Sequence, residues 1–590
     1  MAPCLAVVPE ACGLKPVALV SLMSTAAPVD NGSAREFPAL ASWAKYDCRY
    51  RALPCGLGQR KLVMKSDSPK EARSKKQPVP IISDDDFRVL LGRRASQALS
   101  MARYLVGRHW ERTCFTRPLL GEILHQATEL EELLDACGAR NNDRWRLLRS
   151  TVAAAKLFAD VNYVLLHIQH SIPAYRLLDV EGDFAVSTDE AILFTGQTLL
   201  RISDRFLHHA RLLGLTIPEQ SPAEHFEERL PPGRLAHDYR THKRVDAGET
   251  VTYLATAFLN QAAESELLHV PARVDPGKYR QCIPDSVSEE QVRRLQHQFH
   301  NLQSMYDTFV ADTDTERENP DLLTLRGHLS VIFHLLEAAT GFVHYYERHV
   351  MPAMNSSDDN SLGPMVDGER LLDVLMRYAL TFASRYLVRA RDLCQEMLRR
   401  YAEVGQIEVP GPRYRGFHVR PSTLVAKIVH HYGGEVRMEL EDGVYDASSP
   451  MDIFRANETI NRQKRHWLVS QVADIECIRQ LDGNADLAQT VRRVVLALAE
   501  QGKVVIYQRA IPVQPPDESD PNKTPLQYIL DEVKRLQSTG MIDIEAKINV
   551  NFIGDKRVLR DLQLLAEHGY GEDNFGNNIP LPKELSYLRR

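Results

Sequence analysis

The stretch Arg415-Gly416-Phe417-His418-Val419-Arg420-Pro421-Ser422-Thr423-Leu424 carries the clearest chemical pattern in this chain. Apolar residues at helical spacing predict a helix over Pro421 to Tyr432, and proline suits the first turn because its missing N–H would have no partner there. His418 therefore lies just before a helix N-terminus, where free N–H groups and the helix dipole favour an anion. Arg420 adds a permanent cation suited to phosphate. A neutral imidazole in this setting is a candidate phosphoryl acceptor.

Short alternating patterns surround this stretch and predict an α+β module over residues 406–510. Val436, Met438 and Leu440 alternate with charged residues and predict a strand, which the turn Asp442-Gly443 leads into a return strand. The other predicted elements are a first strand at 406–409, a fourth strand at 473–479, a helix at 486–502 and a short strand at 503–507. The polar stretch 455–472 reads as an insertion.

The module resembles the HPr phosphocarrier proteins of the phosphoenolpyruvate-dependent sugar phosphotransferase system. The active-site pattern of that family is largely matched by Gly416, His418, Arg420, Pro421, Ser422 and Thr423. Phe417 and Val419 are bulkier than the usual residues at their positions. The resemblance covers about 100 residues and implies an α+β open-faced sandwich. It also implies that His418 accepts a phosphoryl group, that Arg420 stabilises the phosphate, and that Gly416 and Pro421 support the site.

The resemblance further implies a regulatory serine 31 residues after the histidine, and that position is Ser449. Ser449 followed by Pro450 is a typical N-cap and first helical residue, so a phosphate on Ser449 would meet a helix N-terminus. Pro450 replaces the family's usual aliphatic residue, which bears on recognition by a serine kinase. Lys427 lies where the family often has a lysine that helps hold an acidic partner, and a solvated helix lysine is the alternative.

The rest of the chain divides by pattern into three further segments. Residues 1–84 are basic and lack a sustained period, which predicts a disordered tail. Residues 85–405 repeat apolar positions at helical spacing and predict a large all-helical region of one or two bundles. Residues 511–590 contain one amphipathic helix at 525–538 and a Gly/Asn/Pro-rich end, and they read as a C-terminal docking extension. The predicted class is therefore multidomain, with a helical bundle followed by an HPr-like module.

Composition limits the classes of partner and compartment. In 590 residues, 72 basic and 78 acidic side chains give a formal charge of -6, which provides no general cationic field for nucleic acid. The nine cysteines form no CxxC pair, so reduced thiols in a cytoplasmic protein are expected. No apolar run is long enough to predict a membrane span.

Metal and cofactor chemistry have little support in the sequence. Two Glu-x-x-His pairs, Glu122 with His125 and Glu266 with His269, have the spacing used in di-iron bundles. Such pairs are expected by chance at this composition, and two further inward glutamates cannot be identified. We therefore predict no metal and no cofactor.

The leading interpretation is a phosphoryl carrier, rather than a stand-alone enzyme, in which His418 relays a phosphoryl group between donor and acceptor proteins of the phosphotransferase type. An alternative is a regulatory interaction protein in which the module is a docking surface or a switch phosphorylated on Ser449, while the helical region binds the output partner. A third possibility is a metal-dependent helical enzyme with the module attached as a regulator.

Overall fold

The computed structural model describes residues 81–107, 115–219, 226, 247–354, 364–441, 443–473, 475, 486–507, 510–515 and 523–589. The chain divides into two units, and the described residues from Asp85 onward belong to the larger one. The smaller unit, Glu10–Asp84, is described only at residues 81–84. The tail predicted for residues 1–84 therefore lies almost wholly outside the described residues.

The N-terminal part of the described chain is helical, as the apolar spacing of residues 85–405 predicts. The main helices are α1 Asp84–Arg94, α2 Ser96–Val106, α3 Arg117–Ala136, α4 Arg146–Ser171, α5 Phe184–Leu212, α6 Ala247–Ala263, α7 Val270–Arg273, α8 Glu289–Phe309, α9 Asp314–Glu318 and α10 Pro320–Tyr345. A π-helical turn, Tyr346–Val350, joins α10 to α11 Met351–Met354, and a second, Val374–Leu380, joins α12 Gly368–Asp373 to α13 Thr381–Arg400. Short 3-10 helices lie at Ala139–Asn141, Ile172–Ala174, Glu266–His269 and Pro276–Cys282.

Local sequence signals explain where several of these helices begin. Ser288 accepts a hydrogen bond from the backbone N–H of Gln291, and the Gln291 side chain accepts one from the N–H of Ser288, which forms a capping box before α8. Thr116 and Asp183 cap α3 and α5 in the same way through single side-chain bonds. Each cap satisfies an N–H group that the first turn leaves without a partner.

Helix α10 is the central element of the bundle. It packs against α4, α8 and α13, and Leu325, Leu329 and Ile332 along it are fully buried. Its composition is nearly apolar all round, which fits a helix surrounded by others. Two helical stretches, Arg146–Ala174 and Pro320–Val350, are long and apolar enough to cross a membrane, but most of each is buried inside the protein. Burial of this kind is compatible with core helices of a soluble protein.

An antiparallel four-stranded sheet follows the bundle. Its strands are β1 Val404–Pro410, β2 Val436–Leu440, β3 Gly443–Asp446 and β6 Asn549–Asp555, in the order β1-β6-β2-β3. The helices of this region are α14 Val419–Tyr432, α15 Pro450–Ala473 and α18 Lys556–Glu567. Short 3-10 turns at Gly569–Gly571 and Lys583–Leu588 complete the C-terminal end.

The two faces of this sheet differ in polarity. Val436, Met438 and Phe552 are buried on the face toward the helices, and these residues belong to the same apolar core as α14 and α18. The opposite face carries polar cross-strand contacts such as that between the Asn549 amide and the Glu408 carboxylate, at 2.9 Å. The alternation of strand residues thus produces a sheet with helices over one face and solvent at the other.

The fourth strand is not where the sequence analysis places it. Ala473 ends α15 and Ile475 is outside any strand, while most of the predicted strand at 473–479 lies outside the described residues. Strand β6 pairs with both β1 and β2 and occupies the central position. Its sequence alternates, with Val550 and Phe552 buried, and α18 begins directly after it. The sheet therefore uses residues from the segment that was predicted to be a C-terminal extension.

The stretch 455–472, which was predicted to be an insertion, continues α15 without a break. Residues Ile453, Ala456, Ile460 and Leu468 are buried at steps of three, four and eight, which places them on one helical face. The inserted segment instead follows α15. We call residues 487–544 the inserted subdomain.

The inserted subdomain has its own small core. It contains α16 Leu487–Glu500, β4 Val504–Ile506, α17 Pro525–Ser538 and β5 Ile542–Ile544, and β4 pairs antiparallel with β5. The predicted helices at 486–502 and 525–538 and the predicted strand at 503–507 are confirmed in position, but β4 belongs to this second sheet. Val494, Leu498 and Leu536 pack there against the end of α15.

Candidate phosphoryl-acceptor site

A tight loop carries His418 from β1 to the start of α14. Arg415 and Gly416 both have positive φ, 53° and 63°. The buried Asn457 side chain on α15 holds this loop, accepting a hydrogen bond from Phe417 N at 2.9 Å and donating one to Arg415 O at 3.1 Å. A Cβ on Gly416 would lie 2.1 Å from Asn457 Oδ1. The conformation and the close approach both require glycine here.

His418 occupies the N-cap position of α14. Its backbone is extended, its carbonyl accepts a hydrogen bond from Ser422 N at 3.1 Å, and its side chain makes no capping bond. Helix α14 begins at Val419, two residues before the predicted start, so Pro421 is still in the first turn. Among the described residues, no acceptor binds the N–H groups of Val419 and Arg420. The helix start therefore presents free donors beside the imidazole.

The imidazole and the neighbouring guanidinium share one buried carboxylate. His418 Nε2 is 2.8 Å from Glu572 Oε2, and Arg420 Nη1 is 2.9 Å from Glu572 Oε1. The Glu572 side chain is 4% exposed, whereas that of His418 is 25% exposed and that of Arg420 is 42% exposed. The carboxylate is thus enclosed by protein, while the two groups that it holds still reach solvent.

This contact defines which imidazole nitrogen is available. A neutral histidine donates through one ring nitrogen and has a lone pair on the other. With Nε2–H directed at the Glu572 carboxylate, the lone pair lies on Nδ1. Nδ1 has no hydrogen-bond partner among the residues that the structure describes. In the neutral form of the ring, Nδ1 is therefore the nucleophilic nitrogen, next to a cation and a helix N-terminus.

Glu572 is fixed by the C-terminal loop, residues 569–579. The Asp573 carboxylate accepts hydrogen bonds from the backbone N–H groups of Phe575 and Asn577, and Ile579 N donates to Gly571 O. At the start of the loop, the buried Tyr570 donates to Pro410 O at 2.9 Å. Its ring meets that of Phe417 edge-on at 5.3 Å. The carboxylate is consequently attached to the same core as the His418 loop.

Aromatic rings form one wall of the site. The Tyr414 ring meets the His418 ring edge-on, with 5.6 Å between the ring centroids, and it meets the Tyr507 ring in the same way at 5.1 Å. The Arg415 guanidinium lies over both tyrosine rings. Burial raises the pKa of Tyr507, and the nearby Asp543 carboxylate adds to the rise. Tyr507 directly follows β4, so the inserted subdomain contributes to the surroundings of the histidine.

A buried ion pair ties the inserted subdomain to the His418 loop. Lys464 Nζ on α15 lies 3.2 Å from Asp543 Oδ1 on β5, and both side chains are 6% exposed. The other carboxylate oxygen of Asp543 accepts a hydrogen bond from Arg415 N at 2.9 Å. Arg415 also donates through its guanidinium to Gly540 O. A single carboxylate therefore joins α15, β5 and the left-handed turn that precedes His418.

The remaining predicted site residues lie on the surrounding helices. Pro421 is buried in the first turn of α14, and Lys427 is exposed two turns further along. Ser449 Oγ accepts a hydrogen bond from Asp452 N at 3.2 Å, so this serine is the N-cap of α15. Ser449 is partly exposed. Ser422 and Thr423 bond to carbonyl oxygens of their own segment, at Phe417 and Val419.

The two Glu-x-x-His pairs make separate contacts. Glu122 accepts from Gln97 and Gln126, and His269 contacts Ser384 at 3.1 Å. Within the described residues, no group of three or more His, Cys, Asp or Glu side chains is placed to hold a metal ion. The described cysteines Cys137, Cys282 and Cys394 are free, and burial raises the pKa of the Cys282 and Cys394 thiols.

Sequence reasoning found His418 and Arg420 but missed the residues that hold them. Glu572, Asn457 and Asp543 come from distant segments, and none belongs to a recognisable motif. Only the fold brings these side chains to the His418 loop.

A comparison of the chain with protein-family profiles, curated proteins and solved structures returned no match. Function is therefore inferred from the geometry of the site and the motif.

Proposed function

We propose that this protein is a phosphoryl carrier, in which His418 accepts a phosphoryl group from a phosphorylated histidine of a donor protein and passes it to an acceptor protein. The observation that carries the proposal is the arrangement of the His418 imidazole. Its Nε2 faces Glu572, its Nδ1 has no partner among the described residues, and it precedes the free N–H groups of α14. The first two features leave Nδ1 as the nucleophile of the neutral ring, and the free N–H groups favour the dianionic group that it gains.

The transfer step is balanced without a cofactor. The Nδ1 lone pair of His418 forms a new N–P bond while the N–P bond of the donor phosphohistidine breaks, and its electron pair returns to the donor imidazole. The Nε2 proton stays on His418, directed toward Glu572, whose charge offsets the positive ring. The phosphoryl oxygens would meet the N–H groups of Val419 and Arg420 and the Arg420 guanidinium.

The fold supports the resemblance to the HPr family on which this proposal draws. The elements of this region occur along the chain in the order β1, the His418 loop, α14, the β2–β3 hairpin, Ser449, α15, β6 and α18. The first six come in the order that the resemblance implies, and β6 with α18 supplies the strand and helix that follow. The helices cover one face of the antiparallel sheet, as in an open-faced sandwich. Relative to that plan, the inserted subdomain is added between α15 and β6.

The surface near His418 suits a protein partner. Val419 at the start of α14 is 73% exposed, and Met451 and Phe454 at the start of α15 are 65% and 42% exposed. Helices α14 and α15 pack against each other, so these apolar side chains lie on adjoining helix ends. Exposed apolar residues grouped near a reactive group are typical of a docking surface. The proposed partners are accordingly phosphotransferase-type proteins in the cytoplasm.

The direct test is phosphorylation of the purified full chain by phosphoenolpyruvate and the general phosphotransferase enzyme. We expect acid-labile phosphate on His418 and none in the His418→Ala variant. His430→Ala is a matched control, since His430 is an exposed histidine on the same helix. Labelling that persists in His418→Ala would reject the assignment.

A second function is favoured by the capping contact of Ser449. Because Ser449 Oγ already meets the N–H of Asp452, a phosphate on this serine would be stabilised by the start of α15. The protein would then be a regulatory switch read by an output partner. Substitution Ser449→Ala separates the two functions, since a carrier keeps its His418 labelling in this variant, whereas a switch loses its partner binding. Ser448→Ala is the adjacent control.

A further inference from the structure

A large polar cleft opens in the helical region, on elements separate from the His418 site. It lies between α4 and α10, and α3, α8 and the 3-10 turn Ala139–Asn141 form its rims. The volume of the cleft is about 960 Å³. Cations line it, and we call it the arginine cleft after them: Arg140, Arg146, Arg149, Lys156, Arg293 and Arg348.

One face of α4 explains the cleft. Arg146, Arg149, Lys156 and Asp160 recur at steps that keep them on one side of the helix. A charged face on a helix within a bundle normally faces bulk solvent, whereas this face is opposed by α10 across the cleft. The space beside this face is therefore polar and open, although α4 and α10 pack together elsewhere along their lengths.

The charges that line the arginine cleft are unequal. Its six cations are opposed by three lining carboxylates, Glu131, Asp160 and Glu337. Outside the lining, Asp143, Asp135 and Glu289 pair with Arg146, Arg149 and Arg293. Glu131 is shared, since it lies 2.8 Å from both Arg149 and Lys156. Burial within the cleft, with the charge of Glu337, raises the pKa of Asp160 to about 6, so this carboxylate is still mostly ionised at pH 7.

Some cations of the cleft are held in position by carboxylates, whereas others are exposed to solvent. The Arg149 guanidinium is held by two parallel bonds of 2.7 Å to Asp135, so its remaining edge is fixed in direction. Arg140 makes no ion pair with any residue that the structure describes. Arg348 is 67% exposed, and its contact with Glu289 is long, at 3.6 Å. Glu289 also bonds Arg293 and His344, at shorter distances.

The chain backbone also departs from a regular helix at this place. The π-helical turn Tyr346–Val350 continues α10 and carries Arg348 and His349 into the cleft wall. π-helical turns within α-helices are frequent at functional sites. His349 stacks on Tyr345 at 4.8 Å. Burial lowers the pKa of His349 to about 4, and the neighbouring His344, Arg149 and Arg140 act in the same direction, which is consistent with a positive potential there.

We propose that the arginine cleft binds a small organic anion that carries at least two negative charges as phosphate or carboxylate groups. The anion would lie between Arg140, Arg149 and Arg348, with an apolar or planar part against Tyr345 and His349. Lys156 and Arg293 extend the cationic surface along the two long helices. This site is independent of His418, and it gives the helical region a ligand-binding role of its own.

Isothermal titration of the purified full chain with pyrophosphate and with citrate, at low ionic strength, tests this proposal. We expect saturable binding of at least one anion. The affinity for the anion should fall at least tenfold in the double variant Arg140→Gln/Arg348→Gln, because two exposed cations are lost. The control Arg317→Gln/Arg377→Gln removes two exposed, ion-paired arginines outside the cleft and should leave the affinity unchanged. Preference for pyrophosphate would indicate a phosphate-bearing ligand, and preference for citrate a polycarboxylate.

Binding at the cleft must be separated from binding at His418. His418→Ala should keep the full affinity for the anion. An unchanged melting temperature in Arg140→Gln/Arg348→Gln establishes that its fold is intact, and the single variant Arg140→Gln serves if it is not. Absence of binding for both anions overturns the proposal, as does an affinity that responds to His418→Ala but not to the cleft substitutions.

Discussion

Glu572 Oε2 lies 2.8 Å from His418 Nε2, although the two residues are 154 positions apart in the chain. The contact sets the imidazole tautomer, and through Arg420 the same carboxylate orients the cation beside it. Glu572 is therefore a positioning residue of the proposed carrier site, supplied by the C-terminal loop.

Substitution Glu572→Gln tests this relationship. The amide no longer provides two anionic acceptors, so the imidazole and Arg420 lose a charge-assisted bond worth about 1.5 to 3 kcal/mol. We expect the rate of phosphoryl acceptance at His418 to fall about tenfold, which corresponds to about 1.4 kcal/mol. Rapid-quench measurement of phosphohistidine gives this rate. Glu567→Gln, an exposed residue of α18, is the control, and equal rates in both variants would refute the role of Glu572.

Substitution Gly416→Ala tests the loop that carries His418. The left-handed conformation and the close Asn457 side chain both oppose a Cβ, so we expect a loss of about 2 kcal/mol in the free energy of unfolding. Gly121→Ala is the matched control, because Gly121 is within α3 and a Cβ there meets no atom within 4 Å. That variant should gain roughly 0.5 to 1 kcal/mol. Chemical denaturation measures both, and a neutral Gly416→Ala would contradict the loop geometry.

Substitution Lys464→Met tests the ion pair behind the loop. It leaves the Asp543 carboxylate buried without its cation, which typically costs about 3 to 5 kcal/mol. We expect a loss of that order in unfolding experiments, together with slower phosphoryl acceptance, because Asp543 also holds Arg415 N. Lys534→Gln removes one partner of a half-exposed pair with Asp531 and should cost less than about 1 kcal/mol. Equal losses in the two variants would argue against a special role for Asp543.

Acid should destabilise the protein between about pH 6.5 and pH 4. Burial lowers the pKa of His167, His349 and His431 to about 4. Between pH 6.5 and pH 4 the unfolded chain therefore binds more protons at these histidines than the folded chain does. These residues contribute stability above pH 6.5 that is lost as the pH falls. Asp160 opposes this effect in part, since its raised pKa favours the folded state at low pH. We expect the melting temperature to drop from pH 7 to pH 5.

His431 offers a variant for this effect. Its ring stacks on Tyr587 at 3.9 Å and contacts Asn260 at 3.0 Å. His431→Gln removes the titrating group but can still bond to Asn260. The drop in melting temperature on acidification should therefore be smaller in this variant, because unfolding takes up as much as one proton less. A melting temperature that is flat or rises on acidification would contradict the pKa assignments.

The helices were predictable because their signals are local. The amphipathic helix Pro525–Ser538 begins and ends as its apolar spacing and capping residues indicate. The start of α15 at Pro450 follows in the same way from Ser449. By contrast, strand β6 is paired with β1 and β2 from more than a hundred residues away, so its place in the sheet depends on tertiary contacts.

The same distinction explains the site. Gly416, His418 and Arg420 form a contiguous motif, and their chemistry follows from the position of a helix start. Glu572 has no such context, because an acidic residue in a Gly/Asn-rich loop resembles any solvated turn. Its burial depends on how the C-terminal loop packs on α14 and β1.

The proposed carrier function requires that His418 carries phosphate on Nδ1, the nitrogen opposite Glu572. Phosphorus and nitrogen NMR of the full chain, after incubation with phosphoenolpyruvate and the general phosphotransferase enzyme, measures this directly. We expect a single acid-labile phosphohistidine at His418 with phosphorus bonded to Nδ1, absent in His418→Ala and retained in His430→Ala. No phosphohistidine, or phosphate bonded to Nε2, would contradict it.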